Sequence, residues 1–344
     1  MSARLSEGAK ALVVRLDSFG DVLLAGPAVR AVAAHHGPVT MLCGPRGADA
    51  ARMLPGVEDV LVWEAPWEGF APPPVVPADI AGLVERLRNG AYGTALILTS
   101  FHQSPLPTAL LLRLAGIGRI GADSADHPGR LLDVRHRRLP GRHEAEAAVD
   151  TAAAMGFTPP PGDDGRLRVL PPPDTSALTG NGPYVVLHPG ASAPARAWSP
   201  HRCAEAVTLL ADAGHRVVVT GGPRERALTG YVSGTAAVDL GGRTGPRTLA
   251  GVLRMADVVV SANTGPAHLA AAVGTPVVSL FAPVVPAERW APYGVPAILL
   301  GDQSAPCADT RALVCPVPGH PCLDEVTGQD VVRAVHKLVQ EERS

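Results

Sequence analysis

Residues 258–282 read VVVSANTGPAHLAAAVGTPVVSLFA, and the order of residue types in them decides the fold. The β-branched run 258–261 is the mark of a buried strand. Asn263, Thr264 and Gly265 break it. Pro266 suits the first turn of a helix, where its missing N–H costs nothing. Residues 268–273 continue that helix, Gly274 ends it, and 276–281 form the next strand. Such a strand–turn–helix–strand unit points the helix N-terminus out at the carboxyl edge of a parallel sheet, where free N–H groups favour an anion. Thr264 and Gly265 are therefore expected to meet a phosphate. An ordinary tight turn of an α/β fold is the other reading of the same residues.

The same alternation runs through the chain. In the first half, strands are expected at 11–16, 39–43, 58–63, 94–99 and 119–121. Helices are expected at 21–35, 48–54, 79–88, 106–115 and 143–155. Residues 64–78, rich in Pro and aromatics, read as a long loop, and 123–142 as irregular and basic. Residues 158–179 contain PPPGDD and PPPD without periodicity and read as an interdomain linker. The second half starts afresh with strands at 184–188, 215–220, 236–240 and 297–300 around the opening unit. Its helices are expected at 200–213, with Ser199 as N-cap, and at 224–233, 248–255 and 327–341. The fold class is α/β: two Rossmann-like, doubly wound parallel sheets, residues 1–172 and 173–344. The closing helix 327–341 is free to pack back on the first domain. Facing carboxyl edges would form a cleft, and the loops after the strands would converge there.

Composition narrows the function classes. Of 344 residues, 46% are hydrophobic, enough for two cores, and the net charge of -2 gives no argument for nucleic acid as a partner. The N-terminus MSARLSEGAK has no apolar leader run, and no apolar stretch reaches the ~18 residues of a membrane span. A cytoplasmic location is expected. Peripheral contact with the inner membrane face stays open, because a lipid-linked acceptor would sit there. Cys307, Cys315 and Cys322, with His320 beside them, could hold zinc. No CxxC pair occurs among them, and a Pro-rich structural loop with reduced thiols is the alternative.

Several chemistries are absent from the motifs. No G-x-G-x-x-G follows the first strand, and there is no P-loop, no G-x-S-x-G elbow, no HExxH and no D-x-D. What remains is Asp21 at a helix start, a cationic loop at 188–199 and the helix N-terminus at Thr264. That set suits a metal-free displacement with a diphosphate leaving group. A carboxylate takes the proton of an incoming hydroxyl, and positive groups stabilise the departing phosphate.

Four stretches then carry a family resemblance: VVRLDSFGDVLLAGPAVRA (13–31), VLHPGAS…RAWSP (186–200), VVTGGPRE (218–225) and the opening segment. In that order they resemble the heptosyltransferase-type, family 9 glycosyltransferases over nearly the whole chain. The resemblance implies a GT-B fold with an N-terminal acceptor domain and a C-terminal nucleotide-sugar domain. It also implies an inverting, metal-independent transfer, typically from ADP-heptose, with no cofactor. Asp21 matches the family's general base; a helix-start Asp serving the macrodipole is its structural alternative. Arg196 stands where the family usually has a diphosphate-contacting Lys. Ser192 lies in the same loop, and Glu225 matches an acidic residue that holds ribose hydroxyls. Thr264, Gly265 and His268 match the phosphate turn and its helix, although His268 could equally face the core. Gly20, Thr244 and Asn263 complete the expected donor side, and Ser100, His102 and His143 the acceptor side.

Two departures stand out. Asn263 replaces the family's common Asp, which leaves the exact sugar open. Residues 64–78 read EAPWEGFAPPPVVPA, without Lys or Arg, so an acidic Kdo-type acceptor is not expected. A glycan, glycolipid or small-molecule hydroxyl is expected instead. The rival readings are a GT-B-like nucleotide-sugar epimerase, against which the 188–198 motif argues, and a two-domain sugar-binding protein without turnover.

Overall fold

A computed structural model of the chain describes residues 10–342. The polar N-terminal segment without an apolar leader run is, up to residue 9, outside the described residues. The chain divides between Leu170 and Pro171 into two compact units.

The first unit holds strands β1 (Lys10–Arg15), β2 (Val39–Cys43), β3 (Val57–Val62), β4 (Tyr92–Ile97), β5 (Arg119–Asp123) and β6 (Val134–His136). They form one parallel sheet in the order β3-β2-β1-β4-β5-β6. Its helices are α1 (Phe19–Leu24), α2 (Gly26–His36), α3 (Ala48–Ala51), α4 (Pro77–Asn89), α5 (Leu106–Leu114) and α6 (Glu144–Ala154). Strands buried on both faces read as continuous apolar runs. Leu12 and Val14 of β1 and Leu16 just beyond it pack with Leu83 and Leu87 of α4 and Leu112 of α5. Alternation turns Arg15 to the other face, where it approaches Glu144 at the start of α6.

Two expectations are corrected here, and a third, the linker, gains detail. The helix expected over 21–35 is two helices, joined at Ala25. Pro27, in the first turn of α2, has no N–H to continue the ladder, and its ring crowds the preceding turn. The stretch expected to be irregular contains β6, whose three residues pair with β5; a strand that short leaves too few residues to show a period. The linker region is not loose throughout. Asp163 is clamped by Arg30 of α2 through Nε–Oδ2 at 2.6 Å and Nη2–Oδ1 at 2.8 Å, and residues 176–179 are helical.

The second unit repeats the architecture. Its strands are β7 (Val185–His188), β8 (Val217–Val219), β9 (Val238–Asp239), β10 (Val258–Ala262), β11 (Val277–Leu280) and β12 (Ala297–Leu300). They are parallel in the order β12-β11-β10-β7-β8-β9. Its helices are α7 (Ser176–Thr179), α8 (Pro200–Asp212), α9 (Arg226–Ser233), α10 (Pro246–Arg254), α11 (Gly265–Val273), α12 (Ala287–Trp290), α13 (Pro321–Asp324) and α14 (Gly328–Glu342). Val207 and Leu210 of α8 and Val331, Val335 and Leu338 of α14 share a core with Val185, Leu187, Val258 and Val260 of the sheet. The closing helix α14 therefore packs on α8 and the strands of its own unit. The opening segment is as read: α11 ends at Gly274, whose φ of 87° is the left-handed conformation glycine takes without strain.

In each sheet the strand order reverses beside the first strand, between β1 and β4 and between β10 and β7. A ligand crevice forms at such a switch point, outside the carboxyl ends. Among the described residues no helix is long and apolar enough to cross a membrane.

Candidate active site

The loop after β1 and the loop after β4 meet at the first switch point, and a charged cluster fills it. Arg15 ends β1 and is 2% exposed. Its Nη2 lies 2.7 Å from Asp17 Oδ2, 3.5 Å from Asp21 Oδ1 and 3.7 Å from Glu144 Oε2. The same nitrogen donates to Ser100 Oγ at 2.8 Å, and Ser100 Oγ donates in turn to Asp17 Oδ2 at 2.8 Å. Gln103 Nε2 donates to Asp17 Oδ1 at 3.0 Å and to Glu68 Oε2 at 2.6 Å. Behind the cluster, Arg138 pairs with Glu144 at 2.6 Å and with Asp123 at 2.8 Å.

Asp21 occupies the third position of α1, and its Oδ2 accepts from Ser18 N at 3.3 Å and Ser18 Oγ at 2.6 Å. Its side chain is 19% exposed against 7% for Asp17. The two carboxylates differ in what they can do. Asp17 is buried and accepts from three side chains, whereas Asp21 sits at the solvent side of the cluster, aimed by the helix start.

The electrostatics follow from crowding. Burial raises the Asp17 pKa, partly opposed by Arg15, and Asp21 adds to the rise. Glu144 is likewise raised by burial against the pull of Arg15 and Arg138. Burial alone would lower the Arg15 pKa, but the surrounding carboxylates outweigh it and the net shift is upward. Burial, then Asp17, push Glu68 from 4.5 to about 7. Its folded pKa exceeds the unfolded one, so the native state binds more protons in that window. Stability is therefore fully present below about 4.5 and is lost as pH rises through about 7. Glu68→Gln is expected to melt higher than the wild type near pH 8, with the gain shrinking toward acid. Equal melting temperatures across the series would show that ionised Glu68 costs the fold nothing.

Other first-unit expectations fall nearby or away. Ser100 is inside the cluster. Gly20 is buried in the first turn of α1. His143 is the N-cap of α6, where its Nδ1 accepts from Ala145 N at 3.2 Å. His102 is exposed, its ring 5.3 Å from that of Phe101.

Around the second switch point lie the loop after β10, with Asn263, Thr264 and Gly265, and the loop after β7, with Ser192, whereas Gly20 of the expected donor side belongs to the first unit. Thr264 is the N-cap of α11, and its hydroxyl makes no cap bond. Gly265 follows at the helix start, and His268 is 6% exposed on the buried side of that helix. Asn263 is 5% exposed, with Nδ2 3.4 Å from the Ala282 carbonyl and Oδ1 without a hydrogen-bond partner among the described residues. Glu225 Oε2 accepts from Gly222 N at 2.6 Å. Its carboxylate lies on Gly190, where an added Cβ would stand 1.9 Å from Oε1; only glycine permits that approach. His188, at the end of β7, lies 3.0 Å from Thr220 Oγ1, and burial holds its pKa low against Glu225. Thr244 is half-buried just before α10, and Ser192 is exposed.

Arg196 closes a 3-10 turn, Pro194–Arg196, within the loop after β7. That loop is held from the C-terminal side. His320 Nε2 donates to the Ala195 carbonyl at 3.1 Å, and Trp198 Nε1 donates to the Leu323 carbonyl at 3.0 Å. Cys307 and Cys322 are buried in the second core, and Cys315 packs against it. Among the described residues no group of three or more His, Cys, Asp or Glu is arranged to hold a metal. His320 braces the loop that carries Arg196.

Sequence reading missed Arg15, Asp17, Glu68, Gln103, Arg138 and Glu144. One signal was present: an arginine at the end of the otherwise apolar run ALVVRL, which a buried strand tolerates only with partners.

Comparison with known proteins agrees with this architecture. The chain is similar to E. coli ADP-heptose lps heptosyltransferase II, at 18% identity over 97% of this chain and 100% of that one, with a TM-score of 0.74. It is similar to a family 9 glycosyl transferase of Veillonella parvula, at 18% identity over 99% and 100%, with a TM-score of 0.76. It is also similar to E. coli heptosyltransferase WaaC with ADP-2-deoxy-2-fluoro heptose, at 21% identity over 95% and 99%, with a TM-score of 0.71. No curated protein sequence is significantly similar to the chain. Residues 80–319 match the family model "Glycosyltransferase family 9 (heptosyltransferase)", and the chain, a glycosyltransferase, belongs to that family.

Proposed function

We propose that this glycosyltransferase moves a heptose from ADP-heptose to an acceptor hydroxyl, with inversion and without a metal ion. The observation that carries the proposal is Asp21. Its carboxylate stands at the carboxyl edge of the first sheet, oriented by Ser18 and Arg15 and more exposed than that of Asp17, at 19% against 7%. As general base it would take the acceptor proton while the hydroxyl oxygen attacks the anomeric carbon from the side opposite the leaving ADP. The first unit would bind the acceptor and the second the donor. There the start of α11 at Thr264–Gly265 and the guanidinium of Arg196 would stabilise charge developing on the diphosphate. Glu225, Asn263, Ser192, Thr244 and His268 would hold the rest of the donor. Support for an ADP-sugar comes from WaaC, a structural neighbour determined with ADP and with an ADP-heptose analogue.

The test is release of ADP from ADP-heptose set against a panel of UDP- and GDP-sugars. ADP-heptose is expected to be turned over alone or best, equally in EDTA, because no D-x-D motif holds a metal-bound diphosphate. The product's anomeric centre, read by NMR, is expected to be inverted. Turnover confined to another nucleotide, loss of activity on chelation with recovery by Mg²⁺, or a retained anomer would each sink the corresponding part.

A further inference from the structure

A cavity of about 110 Å³ opens beside the Asp17 cluster, between the ends of β1 and β4, the loop at Trp67–Glu68 and the first turn of α5. That is somewhat below the ~150 Å³ of an apolar cavity that takes benzene, so it has room for one part of an acceptor. Its lining includes apolar Val14, Leu16, Ile97 and Trp67 together with the acids Asp17 and Glu68. No Lys, Arg or His is among the residues that line it.

Arg15 and Arg138 pair with Asp17, Glu144 and Asp123, whereas no cation among the described residues forms an ion pair with Glu68. Gln103 donates one amide nitrogen to Asp17 and Glu68 together, so the two acids are held close without a cation between them. Burial first, and then the neighbouring Asp17 charge, push Glu68 toward neutrality, with Arg15 pulling the other way. A cation arriving from outside would favour its ionised form. An aromatic face beside carboxylates, in a partly desolvated recess, is the chemistry that recognises an ammonium group. An anionic acceptor would meet only repulsion there.

We propose that this cavity is the specificity pocket of the acceptor, and that it takes a protonated primary amine, so that the acceptor is an amino sugar or another amine-bearing polyol. The proposal rests on the glycosyltransferase reading with the first unit as the acceptor side. Trp67 would supply the cation–π face and Glu68 the counter-charge, with Asp17 fixed behind it by Arg15 and Ser100. The amine is bound, not transferred; the attacking hydroxyl lies elsewhere on the acceptor.

The test uses the full chain and three probes that differ at one carbon: 6-amino-6-deoxyglucose, glucose and glucuronate, titrated by calorimetry near pH 8, where an aliphatic amine stays protonated. The amine is expected to bind about tenfold tighter than glucose, the scale of a partly desolvated cation–π contact, and glucuronate weakest. Glu68→Gln and Trp67→Leu are each expected to remove most of that preference while leaving ADP affinity unchanged. If glucose or glucuronate binds as well as the amine, or if the amine does not bind, the proposal is overturned. It is equally overturned if both variants keep the wild-type preference. ADP binding and ADP-heptose turnover by the same preparation separate the two readings. An amine preference that persists where no ADP-sugar is bound supports the pocket and removes the donor assignment. Donor turnover without any amine preference does the reverse.

Discussion

Asp21→Asn is expected to lower kcat by about 10²–10⁴-fold, the range that a positioned general base contributes, while ADP binds as it does to the wild type. The amide keeps the shape of the carboxylate and can still accept from Ser18 N, which stands 3.3 Å from Oδ2, so α1 keeps its start. The contact given up with Arg15 is a long one, 3.5 Å, and the melting temperature should move little. What the variant loses is the lone pair that receives the proton. Asp17 is the natural rival, being adjacent in the cluster. It accepts from Gln103 and Ser100 and pairs with Arg15, and a carboxylate so occupied has no orientation left for a substrate hydroxyl. If Asp21→Asn turned over at near the wild-type rate and Asp17→Asn did not, the base would be Asp17, and Asp21 would be a helix-start carboxylate only.

Arg15→Met should destabilise the first unit by about 3–5 kcal/mol, the usual cost of removing one partner from a buried ionic group. The methionine fills much of the volume, so the loss is electrostatic more than steric. Asp17 and Glu144 would be left buried with less compensation, and both are already raised above the ordinary carboxylate range by burial. Without Arg15 their pKa values would climb further. Protonating them removes the uncompensated charge, so the deficit against wild type should shrink as pH falls and be largest above neutrality. Urea unfolding followed at two pH values, with the transition of the first unit read separately from that of the second, measures this. A deficit under about 1 kcal/mol at neutral pH would mean that the cluster is solvated after all, like a surface pair.

Both variants probe residues that the sequence revealed unequally. Asp21 could be singled out because it sits where a β-branched run stops and a helical period begins, and periodicity is visible in one dimension. Gly190 and Glu225 could be noted only as members of separate motifs. Their contact, with the carboxylate resting on a glycine that has no Cβ, joins two segments 35 positions apart in the numbering. Cys307, Cys315, Cys322 and His320 suggested a metal by type and proximity in sequence, whereas in the fold the thiols line a hydrophobic core and the imidazole bonds a carbonyl.

The sequence by itself determined the α/β class, the two parallel sheets, the strand–turn–helix at 258–282 and the family. These depend on local propensity, on apolar runs of strand or helix length, and on short motifs in a fixed order. Tertiary structure alone decided which polar residues became partners. Arg15, Gln103, Arg138 and Glu144 are scattered over the first unit, and each taken alone reads as an ordinary strand end, loop or helix-start residue. They converge because strand β4 pairs with β1 and not with β3, which places two loops on one edge of the sheet. A buried charge is tolerated only when such a crossing supplies its counter-charge, and the crossing is a property of the sheet order, which no local stretch of the chain encodes.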